Sequence, residues 1–126
     1  MGTWGSGHLD SDGALDTVSE RSAELVGRVW DALRDPSSRE ADEYGYDALF
    51  VDLTWLLHMA GTPAFSGWDL PPKSEVEPVL AAWIEGWGTY FDGLAGPEFK
   101  AERQAVIEAS FAELVALCAT WEARRA

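Results

Sequence analysis

The chain has 126 residues and carries 22 acidic against nine basic side chains, a formal net charge of −13 at pH 7. Its length suits one domain, residues 1–126, built around a single core. The negative field repels phosphate backbones and anionic lipid heads, so nucleic acid and membrane are set aside as partners; a basic protein is attracted, although acidity also serves simply to keep a small domain in solution.

Cys118 is the sole cysteine, which excludes an internal disulfide and leaves no Cys/His set for structural zinc, so a reducing cytoplasm is the expected compartment. No apolar run approaches a membrane span, and the opening lacks the basic and apolar segments of a secretory signal. Met1-Gly2-Thr3-Trp4-Gly5-Ser6 meets the bare myristoylation pattern without the basic second anchor that stable attachment requires. Gly2 is small enough for Met1 to be trimmed, which would leave a free amine at Gly2.

Residues 2 to 9 hold three glycines around Trp4, too permissive for a regular element and too aromatic for a loose tail. The expectation is an arm, 1–9, pinned on the bundle with Trp4 as its anchor. Asp10 or Asp12 would cap the first helix; with Asp10 as the cap, Leu9 and Ala14 take the staple positions, and Asp12 and Asp16 lie near the positive end of the dipole. Leu15, Val18, Ser22, Leu25, Val29 and Leu33 recur at spacings of three and four, predicting a helix to Arg34 that Asp35-Pro36 breaks.

Arg39 to Gly45 is charged and reads either as a helix start or as part of the turn. Tyr46, Leu49, Phe50, Leu53, Leu56, Leu57 and Ala60 predict a second, buried helix stopped by Gly61 and Pro63, with an apolar face wide enough to suit a dimer. Thr62 to Lys73 then forms one long loop rich in proline, glycine and aromatic residues, pinned by its own side chains. Ser74 and Glu77 have capping-box spacing, with Pro78 in the first turn or at its end. Leu80, Trp83, Ile84, Trp87, Phe91 and Leu94 face the core from this third helix, where Gly86 and Gly88 mark a close helix approach. Gly96-Pro97 opens a last helix, about Glu98 to Arg124, with Val106, Ile107, Ser110, Leu114, Leu117, Cys118 and Trp121 on one face and Arg124 and Arg125 against its negative end. Four amphipathic helices without strand-like alternation predict an all-α, single-domain up-down bundle.

Chemistry-bearing residues are sparse. His8, Asp10, Asp12 and Asp16 could supply ligands to a divalent metal, but aligning Gly13 with the glycine of an EF-hand loop puts Ser19 where the bidentate glutamate belongs; a helix cap with solvated neighbours explains them better. Asp10-x-Asp12-Gly13 lacks the buried strand that precedes phosphatase nucleophile loops. Ser6 between two glycines lacks the strand and base of a nucleophile elbow. His58, near Thr54 and Asp52, would need a partner such as Asp12 or Glu85 for catalysis, and Cys118 on an apolar face behaves as a small hydrophobe. Trp30, Trp55, Trp83, Trp87 and Trp121 read as core, with a cage for a cation or flat ligand as the other use of such a stripe. No catalytic residue and no cofactor is assigned.

The opening, with Trp4, Gly5, Gly7, Asp12, Ala14 and Asp16, resembles a bacterial family of short proteins that begin Met-Gly-x-Trp-Gly-x-Gly and continue Phe-x-Asn-Asp-x-Ala-x-Asp, the domain of unknown function 4259 family. Leu9 stands where that family favours Phe and Ser11 where it favours Asn, and the match spans about the first sixteen residues. The resemblance implies a structural motif at Trp4, Gly5, Gly7, Asp12 and Asp16, and no reaction. The expected role is a non-enzymatic interaction domain that binds a basic protein or itself, in one version an immunity- or antitoxin-like cover for a basic toxin. The alternative is a small metal-binding protein or enzyme centred on the His/Asp cluster.

Overall fold

In the computed structural model, which describes residues 2–90 and 96–125, the first element is helix α1, Asp12–Arg34. Its cap is Ser11, whose extended backbone lets the hydroxyl accept from the Ala14 amide at 3.1 Å. Neither aspartate on either side of it caps, and moving the cap to Ser11 shifts the staple positions off Leu9 and Ala14. The predicted face is buried from Val18 to Leu33, with Val26 joining it.

Pro36–Arg39 forms a short 3-10 helix, and the segment Arg39 to Gly45, whose reading was open, divides: it is a turn through the cap residue Glu43 and then begins α2, Tyr44–Met59. Ser38 explains why this turn is tight. Buried to 2 % exposure, its hydroxyl donates toward the Ala32 and Asp35 carbonyls at 2.7 and 2.8 Å and accepts the Trp83 indole N–H at 2.9 Å. One side chain thus supplies the partner of the buried Trp83 indole N–H while its own proton is placed on carbonyls that already accept the Asp35 and Ser38 amides.

After the loop comes α3, Lys73–Tyr90, and then α4, Gly96–Arg125. Helix α3 begins one residue before the predicted cap, with the Pro72 carbonyl accepting from the Glu75 and Val76 amides. Ser74 is therefore inside the first turn, and Pro78 sits in the second, where it withholds an amide from the Ser74 carbonyl. Of the predicted core positions, Phe91 and Leu94 lie outside the described residues. In α4 the buried seam is Ile107, Phe111, Leu114, Cys118 and Trp121, spaced four, three, four and three. Val106, expected on that seam, is 56 % exposed, and Phe111 takes the place given to Ser110.

The four helices pack as a ring, α1 on α2, α2 on α4, α4 on α3 and α3 on α1. The all-α bundle is thereby the fold, and among the described residues the sole β pairing is an isolated bridge between Thr3 and Ser11. Trp83 and Trp87 are fully buried at its centre; each removes roughly 150–250 Å² from water, about 4–6 kcal/mol at 25 cal/mol per Å². Trp83 meets Phe50 and Phe111 edge-on at 5.4 Å. Arg103 closes this cluster, its guanidinium 4.7 Å over Phe50 and its Nε donating to the Tyr46 hydroxyl at 2.6 Å.

The long loop is pinned by Phe65 and Leu70, which are buried, while Trp68 stays half exposed with its ring edge-on to Trp121 at 4.7 Å. Gly67 is required there, because a Cβ would lie 2.7 Å from the Trp121 ring. Arg125 donates to the Trp68 and Leu70 carbonyls, so the end of α4 ties the loop down as well as meeting its own dipole.

By length and composition α4 is apolar enough to cross a membrane, with a mean hydropathy of 1.2 over 18 residues, although glutamates interrupt it and no uninterrupted apolar run of that length occurs. Exposed Ala105, Val106, Ala109, Ala112 and Ala116 on its outer side raise the average, while Ile107, Phe111, Leu114, Cys118 and Trp121 face the bundle.

Candidate functional site

The N-terminal leader is held by its backbone. Trp4 N–H donates to the Asp10 carbonyl at 3.0 Å, Asp12 N–H to Gly2 at 2.6 Å and Asp10 N–H to Gly7 at 3.2 Å, closing residues 2–12 into a loop. The Asp10 carboxylate folds inward and accepts from the Gly7 amide at 2.9 Å. A Cβ on Gly5 would stand 2.5 Å from Asp10 Oδ2, and one on Gly7 2.7 Å. The two glycines are therefore the space that the carboxylate occupies.

Two expectations about this leader are corrected. Trp4 is 57 % exposed and anchors nothing, and Thr3 to Leu9 are all exposed, so the arm docks on the start of α1 and does not pack on the bundle. Of the metal candidates, Asp10 is engaged by Gly7, Asp12 is the first residue of α1 and Asp16 lies one turn further on. Among the described residues no three His, Cys, Asp or Glu side chains converge where an ion could be held, so His8, Asp10, Asp12 and Asp16 do not form the centre that the alternative reading needed. Ser6 lies in the exposed loop without a base.

The other chemical candidates are also accounted for. Cys118 is buried on α4, and burial pushes its thiol up to about 11, leaving it protonated and inert at neutral pH. His58 keeps Nδ1 at 3.3 Å from the Thr54 carbonyl of its own helix. Ser110 and Glu113 share a groove with it, but the Ser110 hydroxyl donates to the Val106 carbonyl at 3.1 Å, so no serine–histidine relay is formed there. Asp52 is taken by Arg28 at 3.6 Å, and neither Asp12 nor Glu85 lines the grooves around His58. The tryptophans divide: Trp83, Trp87 and Trp121 are core, Trp30 is partly buried, and Trp55 is 59 % exposed. They line no common cage.

What stands out is the helix that carries Trp55. Its inner seam, Tyr46, Leu49, Leu53 and Leu56, is buried. A second series, Tyr44, Ala48, Val51, Trp55 and His58, runs along the opposite side at spacings of four, three, four and three. Tyr44 is 87 % exposed and Val51 47 %, and His58 is also exposed, so this outer series faces solvent. A ridge of this kind on a packed helix is unusual, because the outward side of a bundle helix is ordinarily polar.

Three open grooves flank the ridge. One of about 450 Å³ lies between α1 and α2, floored by Leu25 and Met59 and edged by Arg21, Arg28 and His58. Another of about 440 Å³ runs along Asp47, Val51 and Trp55, and a third of about 390 Å³ lies toward Ser110 and Glu113 on α4. Arg21 and Arg28 make only loose ion pairs, at 3.7 Å to Glu24 and 3.6 Å to Asp52, and both side chains are more than half exposed. The face is thus apolar along its crest, edged beside its C-terminal half by Arg21 and Arg28 on the α1 side and by Glu113 on the α4 side, and acidic at Glu43 and Asp47 beside its N-terminal half. Sequence reasoning noticed the breadth of this apolar helix but did not separate the two seams; the alternate series at 44, 48, 51, 55 and 58 was the signal. Compared with family models, curated proteins and solved structures, the chain matches none.

Proposed function

We propose that the protein is a non-catalytic interaction domain that docks another protein chain on the outer face of α2. The observation that supports this reading is the solvent-facing ridge of Tyr44, Val51 and Trp55, a rigid apolar crest between grooves that would accept the side chains of an opposing helix. Trp and Tyr are the residues most enriched among binding hot spots, and here they stand on a helix whose other side is locked into the core.

The charge of −13 favours a basic partner at long range, which accords with an immunity- or antitoxin-like protein of the cytoplasm, and disfavours nucleic acid and anionic membranes. The test compares the immobilised chain with its Val51→Asp variant in host extract at low and high salt. A protein chain retained by the parent and lost in the variant is expected, with loss at high salt marking a basic partner and persistence marking a second copy. Retention that ignores the substitution would overturn the reading.

A further inference from the structure

The outer seam of α2 is complementary to itself. Laid antiparallel on a second copy with Val51 on the twofold axis, it brings Tyr44 opposite His58 and Val51 opposite Val51, and sets Trp55 over Asp47, between Tyr44 and Ala48 of the other seam and nearer to Ala48. The largest side chain then enters the gap beside the smallest, the condition for knobs to enter holes. The same rotation acts on the charges. Glu43 and Asp47 beside the N-terminal half of one copy arrive over the C-terminal half of the other, where Arg21, Arg28 and His58 edge the groove of about 450 Å³. Arg21 and Arg28, held within their own chain only by pairs of 3.7 and 3.6 Å to Glu24 and Asp52, thereby gain a further partner of opposite sign.

We propose that this face is occupied by a second copy of the chain, docked antiparallel through α2 as an isologous dimer. The proposal rests on the reading of α2 as the docking element and names its occupant. Two copies of charge −13 repel at long range while their contact pairs attract, and salt separates the two effects. Raising salt from about 10 to about 150 mM shortens the Debye length from roughly 30 to 8 Å, which removes the long-range repulsion before the contact pairs are weakened. Self-association therefore strengthens over that range, whereas capture of a basic protein weakens.

Sedimentation velocity on the full chain, read against concentration and salt, tests this together with two variants. A reversible dimer is expected, strengthening between about 10 and 150 mM salt and weakened about tenfold or more by Val51→Asp, which places two carboxylates at the axis. Val51 is 47 % exposed, so the variant should melt like the parent. Val51→Cys should form a disulfide-linked dimer on mild oxidation faster than Glu85→Cys on exposed α3, since Cys118 is buried and does not compete. A monomer at every salt and concentration, or equal cross-linking at both positions, would overturn the proposal. If in that case Val51→Asp still abolishes retention of a basic protein, self-docking fails and the docking reading stands; if the substitution alters neither, both fall.

Discussion

Trp4 and Trp55 are exposed to nearly the same degree, 57 and 59 %, yet they belong to regions of opposite kind. Trp4 rides on a loop whose shape is set by backbone hydrogen bonds and by the Asp10 carboxylate in its glycine pocket. Trp55 projects from a helix whose reverse side is fixed in the core by Leu49, Leu53 and Leu56, with grooves alongside. On the reading proposed for α2, exposure of an indole is not by itself what marks a docking face. What matters is that a rigid support holds it, so that little further ordering is required when a partner arrives.

The comparison is calibrated by an indole that is neither. Trp83→Ala should cost about 3–5 kcal/mol in denaturant unfolding, since it opens the aromatic cluster and leaves the Ser38 hydroxyl without its donor. Ser38→Ala should cost about 1–3 kcal/mol through the orphaned indole N–H. If either loss were matched by Trp55→Ala, the division of α2 into two seams would be wrong.

The leader is tested by its glycines. Gly5→Ala should cost about 1 kcal/mol by expelling the Asp10 carboxylate and breaking its bond to Gly7. In an Asp10→Ala background the same change should cost much less, a coupling that a double-mutant cycle reads directly. Additive losses would mean that the glycines serve something other than this carboxylate. Trp4→Ala and Trp55→Ala should each alter stability by about 0.5 kcal/mol or less, and only the second should alter docking.

Cys118 adds a pH signature confined to the core. Its folded pKa is raised from 9.0 to about 11 by burial, so between those values the native state holds a proton that the unfolded chain has released. Stability from this group is present in full below pH 9 and is lost as pH rises toward 11. Tyr90, which donates to Asp42 and is pushed up to about 12 by that hydrogen bond, acts in the same direction from pH 10 upward. Melting of Cys118→Ala across pH 8 to 10 should therefore be flatter than that of the parent; an equal slope would show that the thiol is not shielded.

Helix number, order and most inner seams were legible in the chain, because a 3.6-residue period and a proline or glycine break act over a few neighbours and need no knowledge of what packs alongside. The errors fell where a distant or lateral neighbour decides. Asp10 and Asp12 were the expected caps because nothing in the string reveals that Gly5 and Gly7 leave room for the Asp10 carboxylate, and the cap passed to Ser11 between them. Val106 fell outside the core and Phe111 took the place expected of Ser110, since which edge of an apolar stripe is buried depends on how α4 lies against α3 and α2.

The division among tryptophans was likewise invisible in composition. Trp55 and Trp83 are each preceded by a periodic apolar helix, but one turns outward and the other meets Ser38 and Phe111. Local sequence determined that these segments are helices and that each owns an apolar side. Only the tertiary structure decided that α2 has one such side too many, because a bundle of this size can cover only one face of each helix and leaves Tyr44, Val51 and Trp55 on the other in solvent.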